Sequence, residues 1–217
     1  MASIVFQIVF WISVAAMFHS YILFPVILHL LSKTRKPNSK VYSAEIDDLP
    51  EVTILMSVHN EEKVIENKLN SLLSTSYPKE KLSILVGSDS STDKTNAILQ
   101  EFAIKHSQLQ IYPFEERQGK PNVINKLHQK VTSEIVILTD AKAFFTESTI
   151  FEMVKHFKNP DISIVGANLV NNEEIGDGIA YQENAFISRE IRMKYQEGLI
   201  WGSVIGAYGA CFAIRNS

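Results

Sequence analysis

The sequence is poor in cysteine, with only Cys211 among 217 residues. A lone cysteine cannot form an internal disulfide, so the composition fits a reducing compartment, and we expect Cys211 to be a small buried residue. Positive charge is not in excess either, because the formal net charge is −3 and no basic stripe with interleaved aromatic residues occurs. These absences argue against a disulfide-stabilised secreted domain and against a nucleic-acid-binding protein.

Charged residues are missing from Ile4 to Leu31. An apolar stretch of this kind is long enough to span a bilayer, which takes about 20 residues. A cleaved signal peptide is the competing interpretation, but the basic start, shorter apolar core and small-residue cleavage site that it requires are not present. Basic residues follow the stretch directly: Lys33, Arg35, Lys36 and Lys40. Because basic residues mark the cytoplasmic end of a membrane helix, we predict a single-pass anchor with its N-terminus outside the cell membrane.

After the apolar stretch, β-rich runs alternate with segments of helical spacing. The predicted strands are residues 52–58, 82–86, 109–114, 135–138 and 162–165. The predicted helices are residues 61–74, 93–106, 122–130 and 147–157. This alternation indicates an α/β fold with a mostly parallel sheet and helices on both faces. Residues 198–214 are interpreted as a loop and strand of the same domain, and a second membrane helix is the less favoured alternative.

Two common nucleotide-binding motifs are absent, since neither G-x-G-x-x-G nor G-x-x-x-x-G-K-[ST] occurs. Dinucleotide-binding and P-loop enzymes are therefore disfavoured. In open α/β sheets, ligands bind beyond the carboxyl ends of the strands. The candidate functional residues are accordingly sought where each predicted strand ends.

The first predicted strand leads into the sequence SVHNEE at residues 57–62. Asn60 is of the type that caps a following helix, and acidic residues suit the positive N-terminus of that helix. His59 and Glu61 lie at the strand-to-helix turn, where a nucleoside would be met. We therefore treat these two as candidate binding residues and Asn60 as structural.

The second predicted strand leads into GSDSSTD at residues 87–93. Small residues and carboxylates here predict a tight loop that lets the backbone approach a ligand. Thr92 or Asp93 is interpreted as a helix cap. Asp89 lies nearer the strand end, where its carboxylate is suited to accept hydrogen bonds from a base or a ribose.

A lysine follows the third predicted strand, and a second aspartate follows the fourth. Gly119 and Lys120 lie at the start of the predicted helix at residues 122–130. This position favours contact with a phosphate, through exposed backbone N–H groups and the positive charge of the lysine. Asp140 follows a buried apolar strand and can present its carboxylate to a hard divalent cation. Either residue taken alone also fits a structural interpretation, a surface lysine in one case and a turn aspartate in the other.

Taken together and in order, these motifs resemble family 2 glycosyltransferases. The matching segments are residues 52–62 (VTILMSVHNEE), 77–79 (YPK), 87–93 (GSDSSTD), 118–121 (QGKP), 139–141 (TDA), 202–210 (GSVIGAYGA) and 213–215 (AIR). The N-terminal apolar stretch with its basic exit is also similar to that family. The resemblance extends over essentially the whole chain.

The resemblance implies a GT-A fold, a Rossmann-like nucleotide-diphospho-sugar transferase domain at residues 51–217, behind an anchor at residues 1–32 and a linker at residues 33–50. It implies inverting transfer of a hexose from a nucleotide sugar, with a UDP-sugar favoured, to a glycan or lipid-linked acceptor on the cytosolic side. It also implies a set of site residues. These are His59, Glu61, Asp89, Lys120 and Asp140 for the donor, Asp140 for Mg²⁺ or Mn²⁺, and Gly206, Gly209 and Ala210 for the acceptor.

One departure from the family pattern concerns the metal. Lys142 stands where relatives carry a second Asp or an Asn of the DxD-type motif, and a protonated lysine cannot ligate a hard cation. Two interpretations are open. Either Lys142 partly replaces the charge of the metal, or it points outward while Asp140 works with water and the diphosphate. The second is favoured because Mg²⁺ keeps several waters and needs few protein ligands.

A second departure concerns the general base. The chain stops at Ser217, before the segment in which the family places this residue, so we expect the base beyond Ser217 and little transfer by the chain alone. Glu183, Glu190 and Glu197 share a helical stretch and are interpreted as a solvated face or as acceptor contacts. The main alternative function is a truncated, inactive membrane protein that binds only nucleotide or partner subunits. A nucleotidyltransferase and a flavodoxin-like sensory domain are weaker alternatives.

Overall fold

The computed structural model describes residues 2–168, 179–203, 206 and 209–216. The helices are α1 (Ala2–Phe18), α2 (Phe24–Ser32), α3 (Ile65–Leu73), α4 (Thr95–Lys105), α5 (Lys120–His128), α6 (Thr149–Val154) and α7 (Ile179–Trp201). The strands are β1 (Val52–Val58), β2 (Leu82–Asp89), β3 (Leu109–Phe114), β4 (Ile135–Thr139), β5 (Ile164–Gly166) and β6 (Cys211–Arg215). The chain divides into two compact units, one of Met1–Pro37 with Val170–Gly206 and one of Asn38–Leu169 with Ala207–Ser217.

The first unit contains the apolar N-terminal helix, and α7 packs against its α2 segment. A π-helical turn, His19–Leu23, joins α1 to α2 just before Pro25. In a regular α-helix the N–H of residue 25 would bond to the carbonyl of Tyr21, and proline has no N–H. The guanidinium of Arg189 on α7 donates to that carbonyl instead. The proline is therefore accommodated by a contact within the first unit.

The helical stretch Ser3–Ser32 is the one candidate membrane span within the part of the chain that the structure describes. It is 30 residues long and meets the criterion by length and apolar composition. The side chains along it are largely exposed to the surroundings. This agrees with the predicted anchor, while the predicted boundaries at residues 32 and 50 stay predictions.

The second unit is built on a six-stranded sheet in the order β3-β2-β1-β4-β6-β5. The pairs β1–β2, β1–β4 and β2–β3 are parallel, whereas β6 is antiparallel to both of its neighbours. The predicted mostly parallel α/β sheet is therefore confirmed. The favoured interpretation of residues 198–214 also agrees in part, because α7 ends at Trp201 and a strand begins at Cys211.

Alternation along the strands sends apolar side chains to both faces of the sheet. One face buries Ile54, Met56 and Ile84 against α3, α4 and α6. The other buries Leu55 and Leu85 against α5. The core of the second unit thus lies on both sides of β1 and β2, which fixes the carboxyl ends of these strands in position.

Two smaller sequence expectations are settled by burial. Cys211 is buried, as predicted, and burial raises the pKa of its thiol to about 11. Glu197 is only 7% exposed, so the solvated face is wrong for this residue, and the alternative of an acceptor contact stays a prediction. Glu190 forms an ion pair with Lys194 at 3.0 Å, and the side chain of Glu183 lies outside the described residues.

Residues 38–50, the greater part of the predicted linker, pack onto the second unit. The Tyr42 N–H donates to the Lys155 carbonyl at 2.9 Å, and Asp47 pairs with Lys158 at 2.8 Å. The hydroxyl of Tyr77 donates to the Pro50 carbonyl at 2.6 Å. These contacts make this segment part of the folded unit rather than a free connection.

Candidate functional site

The candidate site lies at the carboxyl ends of β1, β2 and β4. The chain proceeds from β1 to β2 and β3 on one side and then returns to place β4 on the other side of β1. Ligands in open parallel sheets bind at such a point of reversal, where the loops on either side diverge. His59, Asp89 and Asp140 all belong to segments that end or follow these strands.

The loops after β1 and β2 are bonded to each other. The Asn60 side chain accepts the N–H of Thr92 at 2.8 Å, and Asn60 itself has a positive φ of 53°. The Glu62 N–H donates to Asp93 at 3.1 Å, and Glu62 accepts the Lys94 N–H at 3.0 Å. Asn60 is therefore structural, but the predicted helix cap is wrong, because its amide oxygen serves the neighbouring loop rather than α3.

Two more residues of these loops have defined roles. The carboxylate of Asp93 accepts the N–H of Thr95, the first residue of α4, at 2.9 Å, which agrees with a role at the helix start. The Glu61 N–H donates to the hydroxyl of Thr95 at 2.9 Å. The backbone of Glu61 is therefore fixed while its side chain remains partly exposed at the site.

His59 connects two parts of the site through its two ring nitrogens. Its Nδ1 lies 2.7 Å from the carbonyl oxygen of Asp89, and its Nε2 lies 3.1 Å from a guanidinium nitrogen of Arg117. A carbonyl only accepts and a guanidinium only donates. The two contacts therefore fit the imidazole tautomer that carries its proton on Nδ1. Arg117 was not singled out from the sequence, although it directly precedes the QGKP segment at residues 118–121.

Asp89 uses both carboxylate oxygens to hold the loop before α5. It is 3% exposed and accepts the N–H of Gln118 at 2.6 Å and of Gly119 at 2.9 Å. Gly119 has a φ of +80°, a backbone conformation that glycine adopts without steric cost. Asp89 therefore orders the loop that presents Lys120, and these contacts could not be inferred from the sequence.

Lys120 and Asp140 meet at the centre of the site. Lys120 is the first residue of α5, and its ammonium forms an ion pair with the Asp140 carboxylate. The two side chains are 49% and 39% exposed, so both are accessible to a ligand. Lys142 is exposed, which agrees with the favoured interpretation that it points outward.

The start of β6 lies beside Asp140. The Asp140 N–H donates to the Ala210 carbonyl at 3.1 Å, and Cys211 pairs with Thr139 in the sheet. Ala210 and the adjoining Gly209 are therefore brought to the edge of the site, and their role in acceptor binding stays a prediction. Gly206 belongs to the other compact unit, and residues 207–208 lie outside the described part of the chain.

A buried lysine supports the segment after β4. Lys68 on α3 is fully buried, and its ammonium donates to the Thr139 hydroxyl at 3.0 Å and to the Ala143 carbonyl. Burial lowers the pKa of Lys68 to about 7. Sequence reasoning missed this residue, although Lys68 falls at helical spacing between the apolar Ile65 and Leu72, which marks the buried face of α3.

The arrangement fits a divalent metal only in part. The described residues contain no cluster of three or more His, Cys, Asp or Glu side chains able to hold a metal ion. Asp140 supplies one accessible carboxylate. Because Mg²⁺ is commonly bound by one or two carboxylates together with substrate phosphates, this residue fits a metal shared with a diphosphate and not a closed all-protein site.

Comparison with solved structures bears out the predicted GT-A fold. The mannosyltransferase PcManGT from Pyrobaculum calidifontis, solved in complex with GDP-Man and Mn²⁺, superimposes with a TM-score of 0.72. The match has 24% sequence identity and covers 93% of this chain and 55% of that chain. At this identity the likeness concerns the fold alone.

Curated relatives are similar over part of the chain. The probable glycosyltransferase YdaM of Bacillus subtilis is 26% identical over 151 residues, which are 68% of this chain and 36% of the relative. A poly-beta-1,6-N-acetyl-D-glucosamine synthase of Staphylococcus epidermidis is 30% identical over 118 residues, 54% of this chain and 28% of the relative. The chain thus spans about a third of the length of these relatives.

A family model supplies the broadest match. The model described as Glycosyl transferase family 2 matches residues 53–217, which include every strand of the sheet except the first residue of β1. The matched range also contains the five residues around the candidate site that the sequence motifs had singled out. The chain belongs to glycosyl transferase family 2.

Proposed function

We propose that this protein transfers a hexose, with inversion, from a nucleotide-diphosphate sugar to a glycan or lipid-linked acceptor. The observation that carries the proposal is the Lys120–Asp140 pair, a cation and a carboxylate at the carboxyl end of β4 in a member of this family. The poly-beta-1,6-N-acetyl-D-glucosamine synthase named above makes a glycan, and a further relative, the beta-monoglucosyldiacylglycerol synthase of Nostoc sp., makes a glycolipid, which supports both a glycan and a lipid-type acceptor.

The donor is proposed to lie across the ends of β1, β2 and β4. Its nucleoside would contact His59, Glu61 and Asp89, and a UDP-sugar is the favoured class. Its diphosphate would lie near Lys120, where the N-terminus of α5 adds favourable partial positive charge. Gly206, Gly209 and Ala210 are proposed for the acceptor side.

Lys120 and Asp140 are proposed to exchange partners when the donor binds. Without a donor, each neutralises the other. A diphosphate would draw the lysine ammonium to itself and release the Asp140 carboxylate for Mg²⁺ or Mn²⁺. When bound, the metal would offset the negative charge that grows on the leaving diphosphate. The base that takes the proton of the acceptor hydroxyl is expected outside these residues.

Nucleotide binding tests the proposal directly. The purified full chain in detergent would be titrated with UDP, GDP, ADP and CDP by calorimetry, with Mn²⁺ and with excess EDTA. We expect one nucleotide to bind at least tenfold more tightly with Mn²⁺ than with EDTA. Equal binding in EDTA would remove the metal from the proposal, and no binding of any nucleotide would overturn the transferase assignment. Radiolabelled sugar released or transferred from the matching donor would then separate an enzyme from a binding-only protein.

We also propose that Ser3–Ser32 crosses the cell membrane with the N-terminus outside and the sheet unit in the cytosol. The support is the basic cluster that begins at Lys33. A cysteine placed at Ser39 tests this, because the native Cys211 is buried and should label slowly. Labelling of S39C by a membrane-impermeant maleimide is expected only after the cells are opened. Labelling in intact cells would reverse the orientation.

A further inference from the structure

Lys68 is an unusual residue in the core of the second unit. It is 0% exposed, on the face of α3 that also buries Ile65, Leu69 and Leu72. A buried ammonium is costly unless its donors are satisfied. Within the described part of the chain it forms no ion pair with a carboxylate; its contacts are the Thr139 hydroxyl, the Ala143 carbonyl and the ring of Phe145, 4.0 Å from the ring centroid.

All three contacts belong to one short segment, residues 139–145, which carries Asp140. An ammonium has three N–H donors, so two hydrogen bonds and one cation–π contact use its full capacity. The Thr139 hydroxyl that accepts from Lys68 is also 3.4 Å from the Asp140 carbonyl. That carbonyl in turn accepts the Ala143 N–H at 3.2 Å, which closes the turn.

Helix α3 holds the same segment at a second point. The hydroxyl of Ser71, one turn after Lys68, accepts the N–H of Phe145 at 3.3 Å and donates to the Lys68 carbonyl at 2.8 Å. The segment after β4 is therefore attached to α3 near its start and near its end. Asp140, which projects from this segment, makes its ion pair on the accessible side.

We propose that Lys68 is a positioning residue for the donor site, which sets the turn at residues 140–143 so that the Asp140 carboxylate faces the donor diphosphate and its metal. This inference rests on the proposed function. An apolar side chain of similar volume would avoid the cost of burying a charge. An apolar side chain would, however, leave the Ala143 carbonyl without its donor.

The test compares Lys68→Met with Ser133→Ala in the full chain. Ser133 is a matched control, because its buried hydroxyl donates to Thr53 at 2.7 Å at the opposite, amino end of β1 and β4. The readouts are the melting temperature and Mn²⁺ affinity at saturating nucleoside diphosphate, followed by the electron paramagnetic resonance signal of free Mn²⁺. We expect at least tenfold weaker Mn²⁺ binding by folded K68M and less than a twofold change for S133A.

Each other outcome has a defined meaning. Folded K68M that binds Mn²⁺ within twofold of the wild type overturns the positioning role and leaves the proposed function intact. If K68M does not fold, Thr139→Val takes its place under the same criteria, since it removes one acceptor of Lys68 with little change in volume. A wild-type chain that binds a nucleoside diphosphate but no Mn²⁺ removes the metal from the proposed function and overturns the positioning role, whereas a wild-type chain that binds no nucleoside diphosphate overturns the proposed function itself.

Discussion

Asp140→Asn is expected to weaken Mn²⁺ binding at saturating nucleoside diphosphate by roughly 100-fold or more. Asparagine keeps the shape of the side chain but removes the negative charge. Asp140 is proposed as the single carboxylate ligand, so no second protein carboxylate would compensate. The measurement is the same Mn²⁺ titration.

The loss should occur without loss of the fold. The Lys120–Asp140 pair is about half exposed, and exposed ion pairs contribute at most about 1 kcal/mol. Asp161→Asn is a suitable control because it removes the same charge from another exposed aspartate. Unchanged Mn²⁺ affinity in D140N, with D161N equal to the wild type, would exclude Asp140 as a metal ligand.

The parallel part of the sheet could be predicted closely because its signals are local. The predicted strands at residues 52–58 and 109–114 have the observed bounds. Apolar runs bounded by polar turns carry this information within a few residues. The position of β6 between β4 and β5 could not be obtained in this way, because strand order depends on pairing between distant segments.

The candidate site was only partly accessible to sequence reasoning for a related reason. The positions of Asp89 and Asp140 at strand ends followed from the strand pattern. The partners of these residues did not, because Asp89 binds amides 29 and 30 residues away and Lys68 binds residues 71 and 75 positions further on. The residue type of Lys68 also pointed to a surface position, since a lysine is rarely fully buried. Its helical spacing with apolar neighbours was the available signal.

Asp89→Asn is expected to lower both stability and nucleotide affinity. The carboxylate accepts two backbone N–H groups, and an amide can accept at only one of its two positions. One N–H would then face an NH₂ group, at a cost of about 1–3 kcal/mol. We expect a lower melting temperature and at least about tenfold weaker binding of nucleoside diphosphate, because the loop that presents Lys120 loses one attachment.

The pattern of that loss distinguishes the two roles of Asp89. If its carboxylate contacts the nucleoside, as the family resemblance implies, D89N should lose discrimination among UDP, GDP, ADP and CDP. If it only holds the loop at Gln118 and Gly119, affinity should fall by the same factor for every nucleotide. Ser133→Ala controls for the loss of a buried hydrogen bond as such. Wild-type affinity in D89N would contradict both roles, since each requires the buried carboxylate to affect the donor site.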